Sequence, residues 1–439
     1  MNKPLCTYPW AHQEIETNGD IKFCCASSND KEYAHLDENG NHYNINTHTL
    51  NDAWNSKRML KLRENLYNGV KAPECQNCWD SEERGMWSVR QAALGAEDSY
   101  PHIQDVVDKS VKNNFILDDS YPYFYQIQSG NTCNLACKIC NSDYSITYGR
   151  FFNRLGVDDL SQFKYDLSET GRPDNEYAGA SRTSKKLKKY NWPSKIGLKN
   201  IIGEKRISNI TRLYLSGGEP TIILENLKFL EYLIECDHSK NIELVITTNT
   251  TMIHPRFIEI IKHFKLVMLV LSIDSVGPAI ELQRYPVKWT KLEKNIDQYL
   301  QIGLECDHTP VSFNIVITAL TLPYLDELLS FMDLKNKKIP MHKRVRIAGL
   351  VQMVDSSDFN LRLVPYDVVQ NCREKIEHTL KKSSCFYSDD IEQIKNLIES
   401  LKNFTFNKEN DYSRIRNALE ILQKHHPEYD VREIYKIYY

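Results

Sequence analysis

Asn131-Thr-Cys-Asn-Leu-Ala-Cys-Lys-Ile-Cys-Asn141 is the stretch on which fold and chemistry both turn. Its cysteines, Cys133, Cys137 and Cys140, are spaced C-x3-C-x2-C. Cysteine thiolates are the usual protein ligands of iron–sulfur clusters. Three of them this close can bind three irons of a 4Fe–4S cube and leave the fourth iron open to a small ligand. The same positions also fit one face of a helix, where buried free cysteines are ordinary core residues. Zinc is the stronger competitor. Zinc loops, however, pair C-x2-C units or add a histidine, and no fourth ligand lies near in sequence. The stretch follows an apolar, aromatic run, Tyr121 to Ile127, that reads as a strand. It precedes Ser142 to Phe152, which reads as a helix. The expectation is a cluster loop between a strand and a helix.

Outward from this loop, strand-like runs alternate with helical ones. Strands are expected at 123–128, 212–216, 242–247, 266–273, 311–317 and 344–349. Helices are expected at 142–152, 224–236, 255–263, 289–301 and 325–332. This alternation predicts an α/β fold, a parallel sheet with helices outside it. Six strands predict a partial (β/α)6, TIM-like barrel over residues 121–350. In such folds the chemistry sits at the C-terminal ends of the strands. Leu215-Ser-Gly-Gly-Glu-Pro220 follows the second strand. Gly217 and Gly218 let backbone approach a ligand without a Cβ in the way, and Glu219 offers a carboxylate. A plain glycine turn is the bland reading. Thr247-Thr-Asn249 ends the third strand and Ser272-Ile-Asp274 the fourth. Asn314 lies within the fifth and Thr318 just after it, and Arg284 and Tyr285 lie in a loop open either to a ligand or to solvent. Residues 158–208 exceed an ordinary connection. They include Lys185-Lys-Leu-Lys-Lys189, a run that reads as a solvated face or as part of a lid meeting an acidic group.

The first 110 residues read as a separate small domain. Asn18-Gly19-Asp20 between two strand-like arms is a hairpin signal, and it brings Cys6 and Cys24 towards each other. Cys75-Gln-Asn-Cys78 is a knuckle. Asn51 to Tyr67 has helical spacing, Glu82 to Ala96 is a second helix, and Ser99 to Asp119 is a polar linker. Cys6, Cys24, Cys75 and Cys78 make a complete tetrathiolate set. Four thiolates suit zinc or iron–sulfur, and spacing alone favours a structural zinc. Cys25 is a fifth thiol beside them, a spare core residue or an alternative ligand. At the other end, residues 351–439 hold amphipathic helices at 367–381, 389–403 and 412–425, a helical extension that packs on or caps the barrel. Cys236, Cys306, Cys372 and Cys385 lack ligand spacing.

The chain's 439 residues fit two to three domains. A net charge of −3 makes no electrostatic claim on nucleic acid or membrane. No apolar run approaches the roughly 20 residues that span a bilayer. Met1-Asn-Lys-Pro-Leu-Cys6 has no signal-peptide apolar region. Twelve cysteines in such a chain point to a reducing compartment and metal chemistry, so a cytoplasmic location is expected.

Taken together, the cysteine loop, the Gly217-Gly218-Glu219 turn and the polar strand ends resemble the radical S-adenosylmethionine (radical SAM) superfamily. The resemblance implies a 4Fe–4S cluster on Cys133, Cys137 and Cys140 with SAM at its open iron. It puts the methionine amino group on the Gly-Gly-Glu turn, and the ribose and carboxylate near Ser272 and Asn249. Cys6, Gly19-x4-Cys24 and Cys75-x2-Cys78 resemble the twitch domain, the shorter relative of the SPASM domain. This implies an auxiliary 4Fe–4S cluster, here ahead of the barrel rather than behind it. The implied reaction is reductive cleavage of SAM to a 5′-deoxyadenosyl radical that abstracts hydrogen from substrate. A donor such as flavodoxin or ferredoxin would supply the electron, and the auxiliary cluster would relay another. Relatives act on peptides, proteins and small sugars. Oxidative modification of a peptide or protein is the expectation, with dehydrogenation of a small polyol or nucleotide-like metabolite as the alternative. A zinc-stabilised, non-catalytic binding protein is the reading from another class, and Glu219 and the intact three-cysteine loop argue against it.

Overall fold

Short runs of β-branched, leucine and aromatic residues build most of the sheet. Strands β1 His12–Ile15, β2 Ile21–Lys22, β3 Phe124–Gln128, β4 Arg212–Ser216, β5 Glu243–Thr248, β6 Leu266–Ser272, β7 Val311–Ile317 and β8 Arg346–Gln352 lie in the order β2-β1-β3-β4-β5-β6-β7-β8. The computed structural model describes residues 4–28, 32–83, 88–95, 100, 102–155, 187–352, 359–404 and 407–439. Strands β3 to β8 are the six expected from the sequence. β4 and β7 fall at the expected residues, and β8 starts and ends later. β3 pairs in parallel with β4, and β6 with β7, as strand–helix alternation requires. β6, Leu-Val-Met-Leu-Val-Leu-Ser, is the near-continuous apolar run of a strand covered on both faces.

The N-terminal hairpin joins the main sheet. β1 and β2 pair antiparallel around Asn18-Gly19, with Gly19 at φ +92°. β1 then pairs in parallel with β3, His12 opposite Phe124 through Ile15 opposite Ile127. The hairpin therefore extends the main sheet by two strands. Contacts divide the chain into two compact units. One comprises 1–131, 190–246 and 254–267, the other 132–189, 247–253 and 268–439.

In the first unit, Trp10, Trp54, Trp79, Leu62, Leu66, Ile103, Val106 and Val107 share a buried cluster. Ile103–Lys112 is a helix and not a linker. Its charged residues disguise a buried stripe of Ile103, Val106, Val107 and Ser110 at i, i+3, i+4 and i+7. Trp10 Nε1 donates to Ser110 Oγ at 2.7 Å. The expected helix 51–67 is two, Leu50–Trp54 and Lys57–Tyr67. They are divided at Ser56, which is extended and whose hydroxyl accepts from Met59 N, capping the second helix. Of the expected 82–96 helix, the described parts are the end of Gln76–Glu83 and Val89–Gly95. The proposed lid falls mostly on 156–186, outside the described residues. The rest of that segment forms short helices of the first unit, with Trp192 Nε1 donating to Thr17 O at 2.9 Å.

In the second unit, helices Trp289–Glu305 and Leu325–Asn336 accompany β6 to β8. Tyr366–Lys382, Ser388–Lys402 and Ser413–His425 follow close to the expected bounds. They pack on this unit. Asp333 Oδ1 accepts from the backbone N of Ser384 and Cys385, both at 3.0 Å, and Asp390 Oδ1 accepts from Ile347 N on β8 at 2.9 Å.

Candidate functional site

The three-cysteine loop is held from both sides. Behind it, Thr147 Oγ1 donates to Cys133 O and Ser145 Oγ to Leu135 O, both at 2.6 Å, from the start of helix Ile146–Leu155 and the turn before it. Ahead of it, Ala136 N donates to Tyr285 O and Lys138 N to Gln283 O, both at 2.7 Å. All three cysteines are free thiols, Cys137 buried and the others half-buried. Burial pushes Cys137 up to about 12, Arg284's charge pulls against it, and Cys133 adds to the rise. Cys140 is raised by burial and then by Cys137 and Cys133. The three sulfurs thus share one electrostatic neighbourhood, and a metal centre there must displace their protons.

Asn249 faces this loop. Its Nδ2 lies 3.8 Å from Cys133 Sγ and donates to Asn134 Oδ1 at 2.8 Å. Its Oδ1 accepts from Thr251 N at 3.0 Å and Thr251 Oγ1 at 2.6 Å. Both polar ends of the side chain are therefore engaged. Ser272 ends β6, buried and in register with Asn314 on β7. Thr318 is also buried and donates to Gln283 Oε1 at 2.6 Å. Arg284, for which a solvated loop or a ligand was open, is buried and paired with Asp274.

A contact that the sequence did not signal joins the loop to the C-terminal segment. Buried Lys138, between Cys137 and Cys140, donates to His426 Nε2 at 2.9 Å. Lys138 Nζ also sits 4.8 Å over the Phe151 ring, which stacks on His426. Burial, and then the Lys138 charge, hold His426 down at about 3, so it is a neutral acceptor.

The Gly-Gly-Glu turn belongs to the first unit. Gly217 and Gly218 take φ of +72° and +54°. A Cβ on Gly217 would lie 2.5 Å from Gln128 Cβ, so only glycine fits this approach. Glu219 is buried, and its Oε1 accepts from Thr221 N at 3.2 Å and Thr221 Oγ1 at 2.6 Å. The carboxylate is thereby oriented before any ligand arrives. Gln128 also donates through Nε2 to Glu14 Oε1 at 3.0 Å. Glu14 is buried on β1, and neither its Oε2 nor Gln128 Oε1 has a hydrogen-bond partner among the described residues. Burial pushes Glu14 up to about 8, with Lys22 pulling it down and Glu16 raising it. Nothing in the sequence marks Glu14. An alternating hairpin arm predicts one solvated face, whereas all four residues of β1 are buried.

The four N-terminal thiols also gather. Cys6, Cys24 and Cys75 pack on one cluster with Trp79. The hairpin is tied to the knuckle by Ser28 N donating to Glu74 O at 2.9 Å and Asn77 Nδ2 to Ala26 O at 3.2 Å. Burial pushes Cys6 up to about 12, and Cys78 raises it further. Cys24 and Cys75 are raised by burial and by their neighbouring thiols. Arg90, doubly bonded to Glu82, brings a positive charge close to Cys6 and Cys78. Cys25 is exposed.

Among the described residues, no three His, Cys, Asp or Glu side chains converge as the ligands of a single ion would. The donor chemistry fits iron–sulfur: three thiols in one loop, and four in the N-terminal region. Residues 127–332 match the family model of the radical SAM superfamily, and residues 6–79 that of SPASM, an iron–sulfur cluster-binding domain. The search of curated proteins gave no match. Among solved structures, the chain is similar to Streptococcus suis SuiB bound to S-adenosylmethionine, 18% identical over 73% of this chain and 64% of that one, with a TM-score of 0.38. For SuiB bound to precursor peptide SuiA the identity is 20% over 65% and 53%, with a TM-score of 0.38. Native anSMEcpe with bound AdoMet and Cp18Cys peptide is 13% identical over 59% and 58%, with a TM-score of 0.34. The chain thus spans less than two thirds of the length of SuiB, at 64%. A radical SAM domain implies a 4Fe–4S cluster and SAM, and a SPASM domain implies auxiliary iron–sulfur clusters. With both family matches in place on these two thiol sets, the chain carries a radical SAM domain preceded by a SPASM-type iron–sulfur domain.

Proposed function

We propose that this protein cleaves SAM reductively and uses the radical so formed for net oxidation of a peptide or protein. The observation that carries the reading is the pair of thiol sets, one of three and one of four, each within its own matched domain. When bound, a 4Fe–4S cluster and SAM supply a 5′-deoxyadenosyl radical able to take hydrogen from an unactivated carbon. Cys133, Cys137 and Cys140 hold that cluster. Gly217 and Gly218 bring backbone to the methionine end of SAM, and the oriented Glu219 carboxylate accepts its ammonium. Ser272 offers a hydroxyl at the end of β6. Asn249, with its side chain committed to the cluster loop, contributes to SAM through the placement of that loop.

Cys6, Cys24, Cys75 and Cys78 close the auxiliary set, so no iron there is left for substrate. A cluster held by these four thiolates would supply an acceptor for an electron from the substrate, which would make the overall change an oxidation. A donor such as flavodoxin or ferredoxin supplies the starting electron. A cytoplasmic location agrees with twelve cysteines kept reduced. No described helix is long and apolar enough to cross a membrane.

Anaerobically reconstituted protein should hold about eight iron and eight sulfide per chain, two four-iron clusters. It should form 5′-deoxyadenosine from SAM and dithionite. About four iron with one zinc would remove the relay, and no SAM cleavage would remove the reading. Deuterium transfer into 5′-deoxyadenosine from the peptide fraction of a deuterated extract would support the substrate class. Transfer from the small-molecule fraction alone would move it to a polyol or nucleotide-like metabolite.

A further inference from the structure

We propose that Asn249 is a positioning residue for the cluster of Cys133, Cys137 and Cys140: its side-chain amide donates to the Cys133 sulfur and raises the reduction potential of that cluster. The inference rests on the reading that these cysteines hold a cluster, and it adds a role beyond placing the cluster loop for SAM.

The geometry begins with the 3.8 Å separation of Asn249 Nδ2 and Cys133 Sγ, within reach of a hydrogen bond to the larger sulfur atom. The amide is fixed by a closed ring of three side chains. Asn249 Nδ2 donates to Asn134 Oδ1 at 2.8 Å, and Asn134 Nδ2 to Thr251 Oγ1 at 2.8 Å. Thr251 Oγ1 donates back to Asn249 Oδ1 at 2.6 Å, and Thr251 N donates to the same oxygen at 3.0 Å. Turning the amide over would set its NH2 against the Thr251 N–H and its oxygen against both Asn134 Oδ1 and the sulfur. The network therefore settles which end faces Cys133. Asn134 directly follows Cys133 in the chain, so the ring ties the metal ligand's neighbour to the loop after β5.

That loop is itself anchored. Thr250 sits at φ +65°, a costly conformation for a β-branched residue, which persists only where the surroundings hold it. Asn295 Nδ2 donates to Thr250 O at 2.8 Å and Tyr299 Oη to Met252 O at 3.0 Å, both from helix Trp289–Glu305. The amide is thus presented by a rigid support. Hydrogen bonds to ligand sulfur are among the levers that set iron–sulfur potentials. An N–H aimed at a thiolate stabilises the added negative charge of the reduced state more than the oxidised state, so the potential rises.

The test uses full-length, anaerobically reconstituted protein and a redox titration followed by EPR, the cluster in question being the one whose signal changes on adding SAM. Asn249→Ala and the near-isosteric Asn249→Asp should keep wild-type iron and sulfide. The midpoint of the SAM-responsive signal should move to more negative potential in both, further in the Asp variant, with the auxiliary midpoint unchanged. An unmoved midpoint in Asn249→Ala at full iron content would overturn the proposal, as would equal shifts in both clusters. Should Asn249→Ala lose iron, Asn249→Asp decides by the same two criteria, because it keeps the acceptor for Thr251. Wild-type protein that takes up no iron at Cys133, Cys137 and Cys140 would instead sink the cluster assignment on which this rests.

Discussion

Arg284 closes a two-point ion pair on Asp274, Nε 2.6 Å from Oδ2 and Nη2 2.9 Å from Oδ1, with both side chains buried. The carboxylate also accepts from Gln283 Nε2 and Val316 N, each at 2.9 Å. One carboxylate at the end of β6 therefore organises the start of the loop after helix Gly277–Gln283 and the backbone of β7. The same loop and helix end supply the carbonyls of Gln283 and Tyr285 that hold the cysteine loop. A residue that the sequence offered for a ligand is part of the frame behind the three-cysteine loop.

Breaking this pair should be costly. Asp274→Asn keeps the shape but leaves the Arg284 guanidinium buried without its countercharge. Removing one partner of a buried pair costs about 3–5 kcal/mol. Thermal unfolding of the anaerobic holoprotein should show a midpoint several degrees lower. A midpoint within one degree of wild type would mean that solvent reaches Arg284.

Glu14 gives a pH-dependent expectation. Its folded value of about 8 lies above its ordinary 4.5, so the folded state holds the proton more tightly than the unfolded chain. Its contribution to stability is then full below about 4.5 and is lost as pH rises through about 8. Glu14→Gln removes that titration. The variant should gain stability relative to wild type between pH 5.5 and 9, by an amount on the order of a few kcal/mol. Lys22, whose positive charge pulls Glu14 down, and Glu16, which pushes it up, remain in both proteins. Parallel stability curves over that pH range would show that Glu14 is not a buried acid.

Much of this was legible in the chain. C-x3-C-x2-C, Gly217-Gly218-Glu219 and the period of strands and helices are local signals, each read within a dozen residues, and β3 to β8 emerge close to their expected bounds. What stayed hidden depends on contacts far apart in sequence. Lys138 and His426 are 288 residues apart, and Gln128 and Glu14 are 114 apart. No local pattern announces such a partner. The helix Ile103–Lys112 was hidden for a different reason, since polar composition outweighed a stripe of only three aliphatic residues. The pairing of β1 with β3 was invisible because β1 is rich in polar residues that the sheet nevertheless buries.

The two thiol sets should separate by function. Cys137→Ala should abolish 5′-deoxyadenosine formation from SAM and dithionite, because the cluster of its loop no longer forms. Cys75→Ala should retain part of this substrate-independent activity while failing to turn over the true substrate. Analysis of Cys133, Cys137 and Cys140 replaced together should leave about four iron, one four-iron cluster. Full substrate turnover by Cys75→Ala would show that the auxiliary site serves the fold alone.

Glu219 provides the sharpest test of where SAM lies. Its carboxylate is buried and already oriented by Thr221, so little reorganisation is needed to receive an ammonium group. A charge-assisted hydrogen bond of this kind contributes roughly 1.5–3 kcal/mol. Glu219→Gln keeps a carbonyl acceptor for the Thr221 N–H and hydroxyl and removes only the charge. SAM affinity should fall by roughly 10- to 150-fold, since 1.4 kcal/mol is one decade. Iron content and absorbance should match wild type, because the proposed cluster ligands are Cys133, Cys137 and Cys140. Titrating SAM against the EPR signal of the reduced cluster reads the affinity directly. Thr221→Val separates charge from orientation: it keeps the carboxylate but removes one of the two bonds that aim it, and should weaken SAM less than Glu219→Gln does. An unchanged titration midpoint in Glu219→Gln would show that the SAM ammonium lies elsewhere, and the role of Ser272 would fall with it because both rest on the same pose.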